Sequence, residues 1–176
     1  MLSYRLSNLK ALQPSHFSAT STASLRELDL RNNRLVQLPD CLCDYSELIE
    51  LKLDYNYLQN MPNRMHMLKN LEVLWASQNN LRYFPSNLTH LSKLTQLVLN
   101  DNKLDSVPHS VGNLTSLQRL LLHNNPLTEL PTSLAALSDV KELSLDWLAY
   151  LHNDLIQGQV KHLKGIAEEE PSLKKN

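Results

Sequence analysis

The chain has 176 residues, 42% of them hydrophobic, enough for one domain to bury a core without a metal or a disulfide. Seventeen basic residues against eighteen acidic ones leave a formal net charge of -1, and no basic run would neutralise a row of phosphates, which excludes nucleic acid as the main partner. No stretch approaches the roughly 20 apolar residues of a membrane span, and Met1 to Ser24 lacks the continuous apolar centre of a secretory signal, so a cytoplasmic chain is expected.

In residues 1–24, Leu9, Leu12, Pro14 and Phe17 anticipate a Leu-x-x-Leu-Pro-x-x-Leu spacing with one extra residue. The chain then runs through Ser18-Ala19-Thr20-Ser21-Thr22-Ala23-Ser24. This segment reads as a degenerate N-terminal half-repeat or cap with no strand of its own. It is either a weak shield for the first edge or part of an array that continues further.

From Leu25 the chain repeats itself. Leu25, Leu48, Leu71, Leu94, Leu117 and Val140 lie 23 residues apart, each opening a pattern with apolar residues three and five positions later. The five copies in residues 25–139 carry that pattern through without an insertion or deletion. The first reads Leu25, Leu28, Leu30, Asn33, Leu35, Leu38-Pro39, Leu42. Alternation with period two sends Leu28 and Leu30 to one face of a short strand and Glu27, Asp29 and Arg31 to the other. Asn33, Asn56, Asn79, Asn102 and Asn125 follow each strand, where a side-chain amide can donate to and accept from the turning backbone and stack on the next copy. They are read as a structural asparagine ladder. The proline step then turns the chain, and apolar residues every third position, such as Leu88, Leu91 and Leu94, predict one or two turns of 3-10 or α-helix. No copy can bury its leucines alone, so stacking must supply the core.

Cys41 and Cys43 lie one residue apart in the first copy. A metal site would need further ligands nearby, whereas the seven histidines scatter from His16 to His162, so both cysteines are expected to be free thiols. Asn87-Leu88-Thr89 and Asn113-Leu114-Thr115 match the glycosylation sequon, which matters only on the secretory route; chance in a Leu/Asn/Thr-rich repeat accounts for both.

Residues 140–176 begin a partial sixth copy with Val140, Leu143 and Leu145, but Leu148 stands where an asparagine is due. Beyond Trp147, the residues Leu148, Leu151, Leu155, Val160, Leu163 and Ile166 predict an amphipathic helical cap, loosened at Gly158 and followed by a polar tail. The same helix serving as a docking element is the rival reading.

The repeat LxxLxLxxNxLxxLPxxLxxLxx, in register over residues 25–139, resembles the leucine-rich repeat family, and its LPxxLxx form resembles the intracellular Ras-group and Scribble-type proteins. The resemblance implies an α/β fold: a curved, right-handed leucine-rich repeat solenoid with a parallel concave sheet of about six strands and short convex segments. It also implies docking of a protein partner in signalling, with small GTPases and phosphatases among the candidates. The chain itself is expected to be a monomer.

The outward strand positions form columns across the expected sheet. The middle one runs Asp29, Lys52, Trp75, Val98, Leu121, Ser144. Trp75, Val98 and Leu121, with Val73 beside them, are expected to form an exposed apolar anchor, ringed by Asp54, Tyr55, Asn100, Arg119 and His123 as partner-binding residues. Ordinary strand packing of β-branched and aromatic side chains is the alternative reading. Six strands present only about 24 by 13 Å, roughly 300 Å², against about 800 Å² per partner in a standard interface, so loop residues such as Tyr57 and Trp147 must also contribute.

With three glycines, a phosphate-cradling loop is hard to build, and no HExxH, GxSxG, GxGxxG or P-loop pattern occurs. Asp54, Asp101 and Asp146 fall at related positions but read as surface acids. No enzyme activity, cofactor or metal is expected. Three readings follow: a cytoplasmic interaction scaffold, the recognition arm of a larger enzyme or receptor, or a microbial surface adhesion repeat.

Overall fold

The computed structural model describes residues 1–17 and 24–145. The expected C-terminal helical cap lies outside those residues, as do Asp146 and Trp147.

Seven parallel strands form one open sheet in chain order: β1 Leu2–Ser3, β2 Glu27–Asp29, β3 Glu50–Lys52, β4 Val73–Trp75, β5 Gln96–Val98, β6 Arg119–Leu121 and β7 Glu142–Ser144. Register follows the repeat: Leu28 pairs with Leu51, Leu51 with Leu74, Leu74 with Leu97, Leu97 with Leu120 and Leu120 with Leu143. This row is buried, and so is the next, Leu30, Leu53, Ala76, Leu99, Leu122 and Leu145. The two inward residues of each copy thus meet the equivalent two of the next, and the core runs as a continuous column through the stack.

The strands stop after three residues because the backbone then enters the left-handed region. Asn32, Tyr55, Gln78, Asp101 and Asn124, each just before a ladder asparagine, have φ between 55° and 58°. This bend is the turning device that three glycines could not supply. Hydrogen bonding between copies continues through the bend, with Asn33 N donating to Tyr55 O and Asn56 N to Gln78 O.

On the far side each proline carbonyl accepts from the amide three residues on: Leu42 to Pro39, Met65 to Pro62, Leu88 to Pro85, Val111 to Pro108 and Leu134 to Pro131, at 2.9 to 3.3 Å. These bonds close single 3-10 turns, among them Asp40–Asp44, Ser86–His90, His109–Asn113 and Thr132–Ala136. No α-helix occurs among the described residues; a bond every third residue is all that a segment with one buried edge requires.

The N-terminal expectation is corrected. β1 supplies a strand where none was predicted, with Leu2 opposite Leu28 and Ser3 opposite Asp29, and it brings the sheet to seven strands. Leu6 repeats the left-handed bend of Asn32, and Leu12 is buried against the first full copy. Tyr4 Oη donates to His16 O at 2.5 Å and closes the turn. The 23-residue period does not extend to this unit, because Leu2, which stands opposite Leu28, is not at the regular distance from it.

Candidate functional site

The ladder asparagines sit just behind the sheet, 5% to 8% exposed. Asn79 shows the pattern. Its Oδ1 accepts from Leu58 N at 3.0 Å, while Nδ2 donates to Leu53 O at 3.0 Å and to Ala76 O at 3.2 Å. Asn56, Asn102 and Asn125 make the equivalent bonds. Asn33 reaches back to Tyr4 O and Leu9 N in the first unit. Each amide therefore bonds the backbone of the preceding copy, where sequence reasoning expected it to stack on the next asparagine.

On the sheet face, Trp75 is half-buried and contacts three side chains. Lys52 Nζ lies 5.2 Å and Arg31 Cζ 5.9 Å from the ring centre, and the indole Nε1 donates to Gln96 Oε1 at 3.3 Å. Both cations are themselves paired, Arg31 with Asp29 at 2.8 Å and Lys52 with Glu50 at 2.6 Å. The ion pairs fix the cations, and the cations fix the ring. The Arg31 guanidinium holds the Asp29 carboxyl below the usual carboxylate range.

The exposed apolar anchor expected at Trp75, Val98 and Leu121 is corrected in part. Val98 is 8% and Leu121 9% exposed. In the parallel register Val98 lies between the larger Trp75 and Leu121, which leave its short side chain little open surface. Val73 is half-buried between Glu50 and Gln96. The exposed aromatic surface lies instead one step outward, in the loop row: Tyr55 is 57% and Tyr57 54% exposed.

The polar ring divides in the same way. Asp54 is 6% exposed and accepts from Ser77 N at 2.9 Å and Ser77 Oγ at 2.7 Å, so it braces two copies and is closed to a partner. Burial raises its pKa above the ordinary carboxylate value despite those bonds. Arg119 Nη2 donates to Glu142 Oε1 at 3.1 Å, and its Nε lies 2.9 Å from Oε2 without pointing along a hydrogen bond. His123 Nδ1 contacts Ser144 Oγ at 2.9 Å. Asn100 Nδ2 donates to Asp101 Oδ2 at 2.6 Å, and Asp101 Oδ1 accepts from Asn124 at 2.8 Å. Arg119, His123 and Asn100 remain partly open to a partner.

Cys41 and Cys43 are free; burial pushes the Cys43 thiol up to about 11, which keeps it protonated. Among the described residues no group of three or more His, Cys, Asp or Glu is placed to hold a metal ion, and no helix is long and apolar enough to cross a membrane.

The architecture and the repeat sequence together define a leucine-rich repeat protein. The Leucine Rich Repeat family model matches residues 24–45 and 116–137. A sequence comparison with curated proteins finds no match. Among solved structures, a Leptospira interrogans leucine-rich repeat protein is similar at 30% identity and a TM-score of 0.61, over 70% of this chain and 37% of that one. An internalin from Listeria monocytogenes is similar at 31% identity and a TM-score of 0.61, over 68% and 34%. The plant peptide hormone receptor RGFR1, in complex with RGF2, is similar at 35% identity and a TM-score of 0.65, over 69% and 20%. The chain thus spans little more than a third of the longest-covered of these proteins. Proteins of this fold are in general interaction domains without catalytic function.

Proposed function

We propose that the chain is a non-catalytic scaffold that docks a folded protein partner on the concave sheet face and the adjoining loop row, in intracellular signalling. One observation carries the reading: the tyrosines Tyr55 and Tyr57, in the loop that follows β3, stand more than half exposed, and the neighbouring strand β4 carries the half-buried, cation-braced Trp75. Rigid, amphipathic aromatic side chains next to a fixed indole are what a binding hot spot requires, and the loop row adds the area that three-residue strands lack. Val73, Arg119, His123 and Asn100 complete the rim. The cytoplasmic setting, the monomeric state and the Ras-group or Scribble-type affinity belong to this same proposal.

The test is capture of partners from lysate by the purified chain beside a Tyr55→Ala/Trp75→Ala variant whose fold is checked by circular dichroism. Partners lost by the folded variant, with a cost of about 2 kcal/mol or more in a direct titration, are the expected result. Equal capture by both proteins would sink the reading. A second reading, the recognition arm of a larger receptor, enzyme or surface protein, is favoured by the small share of each similar structure that this chain covers. An adjoining kinase, phosphatase or membrane segment in the full transcript would establish it.

A further inference from the structure

Away from the concave face, the first three full copies form a groove of about 550 Å³ along the line of their Leu-Pro turns. Its floor is Leu38, Met61 and Phe84, each 7% or 8% exposed. One wall carries Gln37, Asn60 and Tyr83, and the other Asp40, Asn63 and Ser86, with successive residues one repeat apart.

The chemistry of the walls narrows the ligand. Asp40 is the single lining residue with a formal charge, and no cation lines the groove, so phosphorylated, sulfated and carboxylated ligands find no counter-charge there. The side-chain amides of Gln37, Asn60 and Asn63 are exposed and make no hydrogen bond among the described residues. Each amide offers donors and an acceptor, which matches a hydroxyl group, itself both. Tyr83 is 65% exposed and presents a flat ring at the rim. The far wall is fixed, since Asn87 Nδ2 donates to Pro62 O at 3.0 Å and to Asn63 O at 2.9 Å across the copies. The floor is too closed to accept apolar side chains, which disfavours a peptide anchored through pockets. A short, flat, uncharged molecule with hydroxyl edges and an apolar C–H face fits all of these features, and the groove lies within the volume range of small-ligand sites. We infer that this lateral groove binds a neutral oligosaccharide, with Tyr83 stacking on one ring and the Gln37, Asn60 and Asn63 amides bonding its hydroxyls.

The test uses the full, isotope-labelled chain with maltotriose, cellotriose and triacetylchitotriose, each to about 10 mM, followed by nuclear magnetic resonance on the side-chain amides. The expected result is that at least one of the sugars shifts the Gln37, Asn60 and Asn63 signals, with a Kd of about 1 mM or tighter. Tyr83→Ala should then weaken binding about three- to tenfold while Tyr83→Phe, which keeps the ring, changes it little. The inference is overturned by no shift with any of the three sugars, by equal binding of Tyr83→Ala, or by a neutral tripeptide that occupies the groove more tightly than all of them.

Discussion

The side chain of Asn79 makes four hydrogen bonds, and two of them cross to the preceding copy. Truncation removes the amide and leaves Leu58 N and Leu53 O buried without it, so Asn79→Ala should cost on the order of 1 to 3 kcal/mol, read as a lower urea midpoint. The role of the ladder was legible because an asparagine at the ninth position of every copy has one use at the end of a strand; its direction of reach, back to the preceding copy, was not. Asp54 shows the reverse case. Its position among variable residues suggested a surface acid, and only the closeness of Ser77 makes it a buried brace. Because its pKa is raised, the folded chain holds that proton to higher pH than the unfolded chain does. Stability is therefore lost as pH rises from the unfolded carboxylate range through the folded value, and the loss persists at neutrality. Asparagine can still accept from Ser77, so Asp54→Asn should raise the urea midpoint at pH 7. That advantage should vanish near about pH 3, where the aspartate is protonated in both states. Asp29 works in the opposite sense: its lowered pKa contributes stability above the carboxylate range that is lost on acidification.

One copy meets the next closely at the convex turns His109–Asn113 and Thr132–Ala136. A methyl group at Gly112, in the turn His109–Asn113, would stand 2.7 Å from Ser133 O and 3.0 Å from Ser133 Cβ in the following turn. Alanine elsewhere in a helical turn gains about 0.5 to 1 kcal/mol over glycine, but here the obstacle is backbone oxygen, which cannot swing aside. The clash should dominate, and Gly112→Ala is expected to lose about 1 to 3 kcal/mol in thermal or urea unfolding. An unchanged midpoint would show that the two turns can separate at little cost. The element types were readable because period two and period three alternate cleanly along each repeat. The length of each convex segment was not readable, since a recurrence of three fits 3-10 and α-helix alike.

At the scale of the whole molecule, each strand touches only its neighbours, so stability should behave as a sum of copies and contacts between copies. Removing residues 1–17 would strip Leu28 of its Leu2 partner and deprive Asn33 of Tyr4 O and Leu9 N. Hydrogen exchange in the shortened chain should therefore quicken most in β2, less in β3 and hardly at all in β6. Uniform loss across the sheet would argue against the additive picture.

The repeat, its strands, the inward leucines and the ladder follow from the sequence alone, because each is a local periodicity and a periodic chain has few ways to bury it. What the tertiary structure decided is which outward residues remain open. Trp75, Val98 and Leu121 look equivalent as a column of letters, yet two of them are buried and the third lies beside two cations, while Tyr55, Tyr57 and Tyr83 stay in solvent. Exposure depends on what the adjacent copies place beside a residue, and that is a property of the stacked surface rather than of any one strand.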